Sequence, residues 1–475
     1  MPHSIRQPPA LPVMFLTEMW ERFGFYIVQG LLVLYMTQYF GYSDNKSYSI
    51  LGAFTALAYI APIVGGYLAD RLLGFVTTTI WGGFVLMAGY ALLAIPSQGA
   101  FFYPGLATIV IGTGMFKPCI SSLLGTQYNT DDPRRDAGFT IFYVGINSGA
   151  FLAGISSGYI KNAFGWHISF MLASIGLMIG LATFIYGLRY LKKTDARPAL
   201  PRHYQFQLFL YCILAIIGIH FLLQVSSLAD WVLPCFGIVL IVYLTMLTMQ
   251  QNATYRKRMA LLNLLIVSSI VFWMLYLQMF FSVNLFNDRL VSKDFLGIQL
   301  TTTVFYASES VFIIILGPCF AWLWHTLALH DKNPSLMSKF ILGIFFAGIG
   351  FLILSFGAQF PTDNGMVHPG WVFLSYLMIT IGELLLSPIG LSAVTMLAPT
   401  HLAGMMMGVW FVAIGFGGIF AGTIAKLSSV PDNVITIAEM LPIYQAAFLD
   451  YAGMAFFVAI LLFFSQFLVK KFVSQ

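Results

Sequence analysis

The residues in this sequence best suited to chemistry lie inside an apolar run of membrane-spanning length, residues 14–40. Two glutamates and an arginine occur there, and at 3.6 residues per turn they share one helical face with three other side chains. The six residues of this face are Glu18, Glu21, Arg22, Phe25, Tyr26 and Gln29. A charged side chain at the bilayer centre costs at least about 2.5–3.5 kcal/mol, so such groups usually pair and mark a path for ions or substrate. This face is therefore predicted to look at protein or water, not at lipid.

The spacing of the three charges suggests proton chemistry. Glu18 and Arg22 are four residues apart and can pair within the helix. Glu21 is then a candidate to bind and release a proton, because a second carboxylate beside Glu18 disfavours ionisation of both, whereas Arg22 favours it. The alternative is a structural ion pair that fixes the packing of this helix.

Other apolar runs also contain ionisable residues. They are Lys117 in GTGMFKP, Glu309 in FYASESV and Glu383 in GELLLSPIG. Four of the five glutamates in the chain therefore lie inside predicted spans. In such a set, protonating one acid releases a base to pair elsewhere. The alternative for Lys117 is a side chain that snorkels to the membrane interface.

The composition places the chain among multi-pass membrane proteins. Of its 475 residues, 59% are hydrophobic and 9% are charged, whereas globular domains are about 25% charged. Fourteen apolar runs approach or exceed the roughly 20 residues that cross the bilayer as a helix. We predict an all-α protein with 14 transmembrane helices in a lipid bilayer. No cleavable signal peptide is expected, because the first apolar run is too long and carries charges.

Charge distribution and cysteine usage exclude several classes. Most of the 23 lysines and arginines fall on the side of the two termini, which predicts cytoplasmic termini in the inner membrane. The formal net charge of +5 follows from this asymmetry and does not indicate nucleic-acid binding. We expect no disulfide framework, metal site or other cofactor, because no CxxC or His/Cys cluster occurs. The cysteines, all inside apolar runs, are Cys119, Cys212, Cys235 and Cys319.

The segment GGYLADRLLG (65–74) resembles the loop signature of the major facilitator superfamily, although a plain cytoplasmic turn is the alternative. That superfamily has two six-helix bundles related by a pseudo-two-fold axis, with substrate near the midplane. Two further helices, about 206–224 and 231–250, are bracketed by the basic segments 189–203 and 255–259. We therefore predict a first bundle, an inserted helix pair and a second bundle at 1–190, 191–259 and 260–475.

Four further motifs resemble one family of that superfamily, the proton-dependent oligopeptide transporters. They are ExxERF from Glu18 to Phe23, FKP from Phe116 to Pro118, FYxxINxG from Phe142 to Gly149, and GELLLSPIGLS from Gly382 to Ser392. The resemblance covers nearly the whole chain. Bacterial members of the family also carry two extra helices between the bundles, in keeping with the predicted insertion.

The resemblance implies roles for particular residues. Those implied for proton coupling are Glu18, Glu21, Arg22, Lys117 and Glu383, with Lys117 and Glu383 as a cross-bundle pair that opens and closes with substrate. Those implied for the peptide site are Tyr26, Tyr59, Lys117, Asn147, Glu383, Ser387 and Trp410. Arg22 and Lys117 would lie near the peptide carboxylate, and Asn147 and Glu383 near its amino group. Taken alone, Asn147 also suits an interhelical hydrogen bond and Trp410 suits packing.

Three positions depart from the family pattern. Gln29 stands where an arginine is common, and Leu277 stands before Gln278 where a glutamate is common. Their joint change is consistent with the loss of a matched pair at the extracellular gate. Glu309 stands where an asparagine is usual, and we expect it to add a carboxylate to the peptide site near Glu383. The alternative is a protonated Glu309 that hydrogen-bonds a neighbouring helix.

These observations predict a secondary active transporter, not an enzyme, that imports dipeptides and tripeptides with protons by alternating access. The alternative substrates are amino acids, nitrate or peptide-like drugs. A membrane-embedded enzyme would have a conspicuous charged or metal-binding loop at one membrane face, and every loop here is short or plain. A channel is disfavoured, because its charges would form repeated rings. Substrate length and side-chain preference, proton stoichiometry and oligomeric state do not follow from the sequence.

Overall fold

The computed structural model of the chain describes residues 6–97, 99–129, 132, 134–192, 202–399 and 401–473. Fifteen α-helices and one two-stranded hairpin make up the regular structure of these residues. The helices are α1 Ala10–Gln38, α2 Asp44–Leu68, α3 Phe75–Leu93, α4 Phe102–Thr126, α5 Arg135–Phe164, α6 Trp166–Gly187, α7 Arg202–Gln224, α8 Ser226–Met249, α9 Ala253–Tyr276, α10 Ser282–Leu290, α11 Thr302–Leu329, α12 Leu336–Gly357, α13 Pro369–Leu397, α14 Ala403–Ala425 and α15 Ile437–Val473. The antiparallel strands are β1 Asp294–Phe295 and β2 Ile298–Gln299.

The helix lengths agree with a membrane protein. Within the described ranges, 13 helical segments are long and apolar enough to cross a bilayer, and α9 with α10 counts as one of them. Helix α1 has 29 residues and is also long enough. It contains Glu18, Glu21 and Arg22, which lower its mean hydropathy. The predicted all-α architecture with 14 transmembrane helices is confirmed.

Local sequence signals set several helix ends. Asn252 caps α9, since its side-chain oxygen accepts from the Tyr255 backbone N–H at 3.0 Å, and Ser335 caps α12 in the same way. Such caps satisfy backbone donors that have no partner in the first helical turn. Within the loop motif at 65–74, Ala69–Leu73 form a short π-helical turn directly after α2. Gly74 ends this turn with φ +78°, a left-handed conformation that favours glycine.

Packing divides the chain into two compact units. The first unit comprises the residues up to Tyr35 and Leu57–Val225, and the second comprises Met36–Ala56 and Ser226–Gln475. Helix α2 contributes to both units, and the predicted inserted helices are divided, with α7 in the first unit and α8 in the second. The three-part boundaries stay a prediction. Residues 193–201 of the basic segment that precedes α7 lie outside the described residues.

In the first unit, α3 packs along α4, and α7 packs on the same helix. A cluster of buried apolar side chains lies among α1, α4, α5 and α6 and includes Met14, Phe116 and Phe184. Glycines 112 and 114 let neighbouring helices approach α4 closely. A Cβ atom on Gly112 would overlap the Leu86 backbone, and one on Gly114 would lie 2.7 Å from the Cβ of Ala61. This close packing fixes the position of Lys117 on the same helix.

In the second unit, α12 packs against α13 and α15, and α8 packs against α9 and α14. A Cβ atom on Gly343 of α12 would lie 2.9 Å from the carbonyl oxygen of Gly382. The backbones of α12 and α13 therefore approach closely beside Glu383. This contact sets the depth and orientation of the acidic residue on α13.

The membrane-spanning segment Ala253–Leu290 is broken near its middle. Helix α9 ends at Tyr276, a 3₁₀ turn covers Leu277–Met279, and α10 starts at Ser282. Gln278 bridges the break, since its Nε2 donates to the Met274 carbonyl oxygen in the last turn of α9 at 3.3 Å and its Oε1 accepts from the Ser282 hydroxyl at the start of α10 at 2.6 Å. Its Nε2 also donates to the Ala421 carbonyl oxygen of α14 at 2.9 Å. Non-helical backbone is tolerated at membrane depth only where protein or water satisfies it.

Candidate functional site

Glu18, Glu21 and Arg22 form a buried charge cluster on α1, in which each residue is at most 3% exposed. The Arg22 guanidinium donates to both carboxylate oxygens of Glu21, with Nη2 2.6 Å from Oε1 and Nε bonded to Oε2. Glu18 Oε1 lies 3.5 Å from Arg22 Nε. The pairing of Glu18 with Arg22 is present as predicted, but Glu21 is the bidentate partner. The second oxygen of Glu18 accepts no hydrogen bond from the described residues.

Neighbouring helices enclose this α1 cluster. The Arg22 guanidinium carbon lies 4.8 Å from the centre of the Phe25 ring. Helix α5 approaches at Gly149, where a Cβ atom would overlap the Met19 carbonyl oxygen. Most of this face of α1 is buried, in agreement with the prediction that it looks at protein or water and not at lipid. Buried charges interact strongly with one another, because the low local dielectric constant screens them weakly.

Lys117 belongs to the same group of charges. Its ammonium nitrogen lies 4.2 Å from the centre of the Tyr59 ring, in a cation–π contact. Its charge also interacts with those of Glu18, Glu21 and Arg22. The side chain is therefore directed into the first unit and does not snorkel to an interface. The site contains two acidic and two basic side chains. If one glutamate takes up a proton, one of the two cationic side chains loses its anionic partner.

The other predicted residues of the first unit lie around this site. Tyr26 and Tyr59 each make an edge contact with the Phe25 ring, with centroids 5.7 and 6.5 Å apart. Both tyrosines are half-buried. Asn147 Nδ2 donates to the Tyr143 carbonyl oxygen at 3.0 Å within α5. This hydrogen bond of Asn147 is therefore within its own helix. The contact of Asn147 with substrate stays a prediction.

In the second unit, Glu309 and Glu383 lie close enough for their carboxyl groups to interact. They are 6% and 7% exposed. Glu309 accepts from the Tyr276 hydroxyl at 3.3 Å and from the Ser310 hydroxyl at 3.4 Å. Glu383 Oε2 is buried and has no hydrogen-bond partner among the described residues. The predicted proximity of these two glutamates is present in the structure.

Ser387 and Trp410 occupy different environments. Ser387 is half-buried on α13, one turn after Glu383 and just before the helix-internal Pro388. Trp410 is 1% exposed, and its ring packs against Phe340, with centroids 6.1 Å apart. A Cβ atom on Gly390 would overlap the same indole ring. The packing role of Trp410 is therefore present, whereas its role in a peptide site stays a prediction.

Sequence reasoning did not identify two polar features. Tyr90 of α3 is fully buried against Gly24, and its hydroxyl has no hydrogen-bond partner in the described part of the chain. It lies close enough to Glu21 for an electrostatic interaction. The second feature is an ion pair between Asp44 and Arg289, with two N···O distances of 2.7 Å. A single sequence does not show that two residues 245 positions apart form an ion pair.

The Asp44–Arg289 pair is part of a wider network in the second unit. Asp44 also accepts from the Val430 backbone N–H at 3.1 Å, and Arg289 donates to the Tyr444 hydroxyl at 3.3 Å. The pair thereby ties the first turn of α2 to α10, α15 and the segment before α15. A bidentate geometry of this kind fixes orientation as well as distance.

Removing the charge of Asp44 is expected to lower stability. Asp44→Asn leaves Arg289 without its bidentate partner, and truncating one partner of a buried charge pair costs about 2–5 kcal/mol. We expect the lower end, because the Arg289 side chain is 25% exposed. Thermal melting of the purified protein in detergent measures this change. The control is Asp70→Asn, an exposed aspartate, and a melting temperature of Asp44→Asn equal to that control would contradict the assignment.

The site contains no obvious metal-binding arrangement. Among the described residues, no group of three or more His, Cys, Asp and Glu side chains is placed to hold a metal ion. What the buried groups can do is bind and release protons and pair with opposite charges. The first unit has two basic side chains beside two acidic ones, and the second unit has the neighbouring acids Glu309 and Glu383.

Comparisons with known proteins agree with this chemistry. A family model described as the POT family matches residues 76–442. Dipeptide and tripeptide permease A of Proteus mirabilis (strain HI4320) is 34% identical over 99% of this chain and 96% of its own length. The crystal structure of peptide transporter POT in complex with sulfate has a TM-score of 0.85 at 30% identity, covering 98% of this chain and 96% of that chain. A structure from work on substrate recognition in proton-dependent oligopeptide transporters has a TM-score of 0.86 at 29% identity, covering 98% and 99%.

Proposed function

The chain belongs to the POT family, and from that membership we propose that it imports dipeptides and tripeptides together with protons by alternating access. The proposal is supported above all by the buried Glu18, Glu21 and Arg22 and the half-buried Lys117, which balance two acids with two bases in one unit. Buried ionisable groups of this kind in transporters serve ion or substrate movement.

The charges of the two units suit the two ends of a peptide. A peptide without blocked ends carries a carboxylate and an ammonium group. We assign the carboxylate to Arg22 and Lys117 in the first unit, because guanidinium and ammonium donors bind carboxylates. The ammonium group is assigned to Glu309 and Glu383 in the second unit, with Asn147 as a further ligand. Tyr26, Tyr59, Ser387 and Trp410 are assigned to the walls of the same site.

Proton binding at Glu21 couples to peptide binding in this scheme. When Glu21 is protonated, Arg22 loses its bidentate acceptor and becomes available to the peptide carboxylate. When the proton leaves, Glu21 competes for Arg22 again and favours peptide release. A ligand shifts a conformational equilibrium only through its different affinity for the two states. We propose the Lys117–Glu383 pair as the contact whose formation differs between those states.

Uptake into proteoliposomes tests the function. The purified protein is expected to accumulate labelled dipeptides and tripeptides only with an inward proton gradient. Free amino acids and nitrate, tested in parallel, are expected to give no gradient-driven accumulation. Accumulation of either of these solutes in place of peptides would overturn the assignment of peptides as substrates but not the family membership.

The membrane location is proposed to be the inner membrane with both termini cytoplasmic, based on the lysine and arginine distribution.

Glu309 is expected to recognise the amino end of the peptide. Its carboxyl group lies beside that of Glu383, so a peptide ammonium at this place meets two acids and not one. We predict that wild-type protein prefers free over acetylated peptides in competition assays and that Glu309→Asn reduces this preference. Equal discrimination by wild type and variant would show that Glu309 does not contact the amino group.

A further inference from the structure

Lys339, in the first turn of α12, is a buried cation without an anionic partner in the described part of the chain. It is 5% exposed, and its ammonium nitrogen lies 4.0 Å from the centre of the Trp324 ring on α11. It forms no hydrogen bond or ion pair with another described residue. Burying a charge is costly unless an opposite charge compensates it. The ammonium group is not fully enclosed by the protein, so an anion from outside the chain can reach it.

The short connection between α11 and α12 does not compensate this charge. It contains Asp331 and Lys332, which are both exposed and have opposite charges. In the proposed orientation with cytoplasmic termini, this end of the two helices faces the cytoplasm. Basic pockets between transmembrane helices on that side bind the headgroups of anionic lipids. Lys339 therefore has the location and the charge that such a headgroup requires.

An apolar depression on α11 lies next to Trp324, on the side of the membrane interior. Its volume is about 510 Å³, and it is lined by Pro318, Cys319, Phe320, Trp322 and Leu323. The Phe320 ring contacts the Trp324 ring, with centroids 5.9 Å apart. At 1.5 Å per residue, Pro318 lies about 9 Å further along the helix axis than Trp324. The cation and the depression are thus arranged in the order of a lipid headgroup and its acyl chain.

This half of α11 is largely uncovered by the described residues. Trp322 is 68% exposed and Leu329 is 70% exposed, and a Cβ atom on Gly317 would have no neighbour within 4 Å. Apolar surface of this kind in a membrane-spanning helix contacts lipid, and tryptophan is enriched at the level of the headgroups. The buried, uncompensated Lys339 distinguishes this surface from an ordinary lipid-facing one.

We propose that Lys339 and Trp324 form a binding site for one anionic phospholipid of the cytoplasmic leaflet. Its phosphate lies at the Lys339 ammonium group, and one acyl chain follows the apolar depression of α11. Charge complementarity selects the lipid. A zwitterionic headgroup carries an ammonium group that Lys339 repels, whereas the headgroup of phosphatidylglycerol has a net negative charge. The site does not depend on the proposed transport function, and a lipid bound there would stabilise the contact between α11 and α12.

Lipid titrations of the purified protein in a neutral detergent test this site. Thermal melting measures binding, because a ligand of the folded state raises the melting temperature. The wild type is expected to bind phosphatidylglycerol about fivefold more tightly than phosphatidylcholine, the preference that one lysine near the membrane surface confers. Lys339→Met removes the charge and retains much of the apolar stem, so it should lose this preference. Trp324→Leu should weaken it.

The matched control is Lys332→Met, which removes an exposed lysine from the same end of the two helices. It should retain the preference, which separates a defined site from the general attraction of anionic lipid to basic loops. Equal binding of the two lipids by the wild type would overturn the proposal, as would an unchanged preference in Lys339→Met. Inorganic phosphate at the same concentrations should not stabilise the protein. Stabilisation by phosphate equal to that by phosphatidylglycerol would show that the ligand is a free anion and not a lipid.

Native mass spectrometry gives a second readout, which does not depend on the melting temperature of a variant. One phosphatidylglycerol molecule is expected to remain on each wild-type chain and on each Lys332→Met chain after the detergent is removed. It should be absent from Lys339→Met. Retention of the same lipid by folded Lys339→Met would contradict the assignment of the headgroup to this lysine.

Discussion

Glu21→Gln is expected to retain peptide exchange but to lose net accumulation. The substitution keeps the shape of a side chain that is fully buried and bonded to Arg22, but it removes the titratable group. An amide mimics a permanently protonated glutamate, so the loaded protein can still reorient and exchange peptide. Net uptake stops, because the return of the empty protein requires release of that proton. Gradient-driven accumulation is therefore expected to be lost completely, while exchange continues.

Two assays on the same proteoliposomes separate these outcomes. Counterflow, in which unlabelled internal peptide exchanges for labelled external peptide, should continue in Glu21→Gln, whereas gradient-driven accumulation should be absent. Glu439→Gln serves as the control that removes an exposed glutamate. Full gradient-driven accumulation by Glu21→Gln would contradict the coupling role and leave the α1 cluster with a structural role only.

Lys117→Ala is expected to abolish both exchange and uptake. The lysine contacts the Tyr59 ring and interacts with both glutamates of the α1 cluster. Its removal leaves two buried acids with Arg22 as the only base of that group, and an uncompensated buried charge is strongly destabilising, by about 3–5 kcal/mol. It also deletes the proposed ligand of the peptide carboxylate and the predicted partner of Glu383. Transport should therefore fall below detection.

The control for this variant is Lys332→Ala, which removes an exposed lysine. Peptide binding to purified protein, measured by calorimetry, distinguishes a lost ligand from a lost conformational contact. Because Lys117→Ala removes a carboxylate ligand, binding should weaken together with transport. Wild-type uptake by Lys117→Ala would mean that this lysine takes no part in the transport cycle.

Much of the site could be predicted because intramembrane charges are rare and costly. The α1 cluster follows from helical spacing alone, since residues three and four apart share a face. The insertion of Lys117 into the first unit also follows from its apolar context and the glycines at 112 and 114. The proximity of Glu309 to Glu383 was predicted only through the register of the family motif.

Other features could not be predicted, because they depend on which helix lies beside which. The bidentate preference of Arg22 for Glu21 over Glu18 is a matter of side-chain rotamer within an enclosed space. The fully buried Tyr90 reaches the α1 cluster only because Gly24 admits its ring. The break after Tyr276 has neither proline nor glycine at its position, and Gln278 beside it donates to a carbonyl oxygen of α14.

The sequence by itself determined the class of protein, the helical spans and the set of buried charges, because hydropathy and helical periodicity are local properties of the chain. Only the tertiary structure decided the partners of those charges. Asp44 and Arg289 pair across 245 residues of chain, and Glu309 and Glu383 meet on separate helices. Electrostatic energy depends on distances of a few ångströms between side chains, and in this fold packing between helices sets those distances.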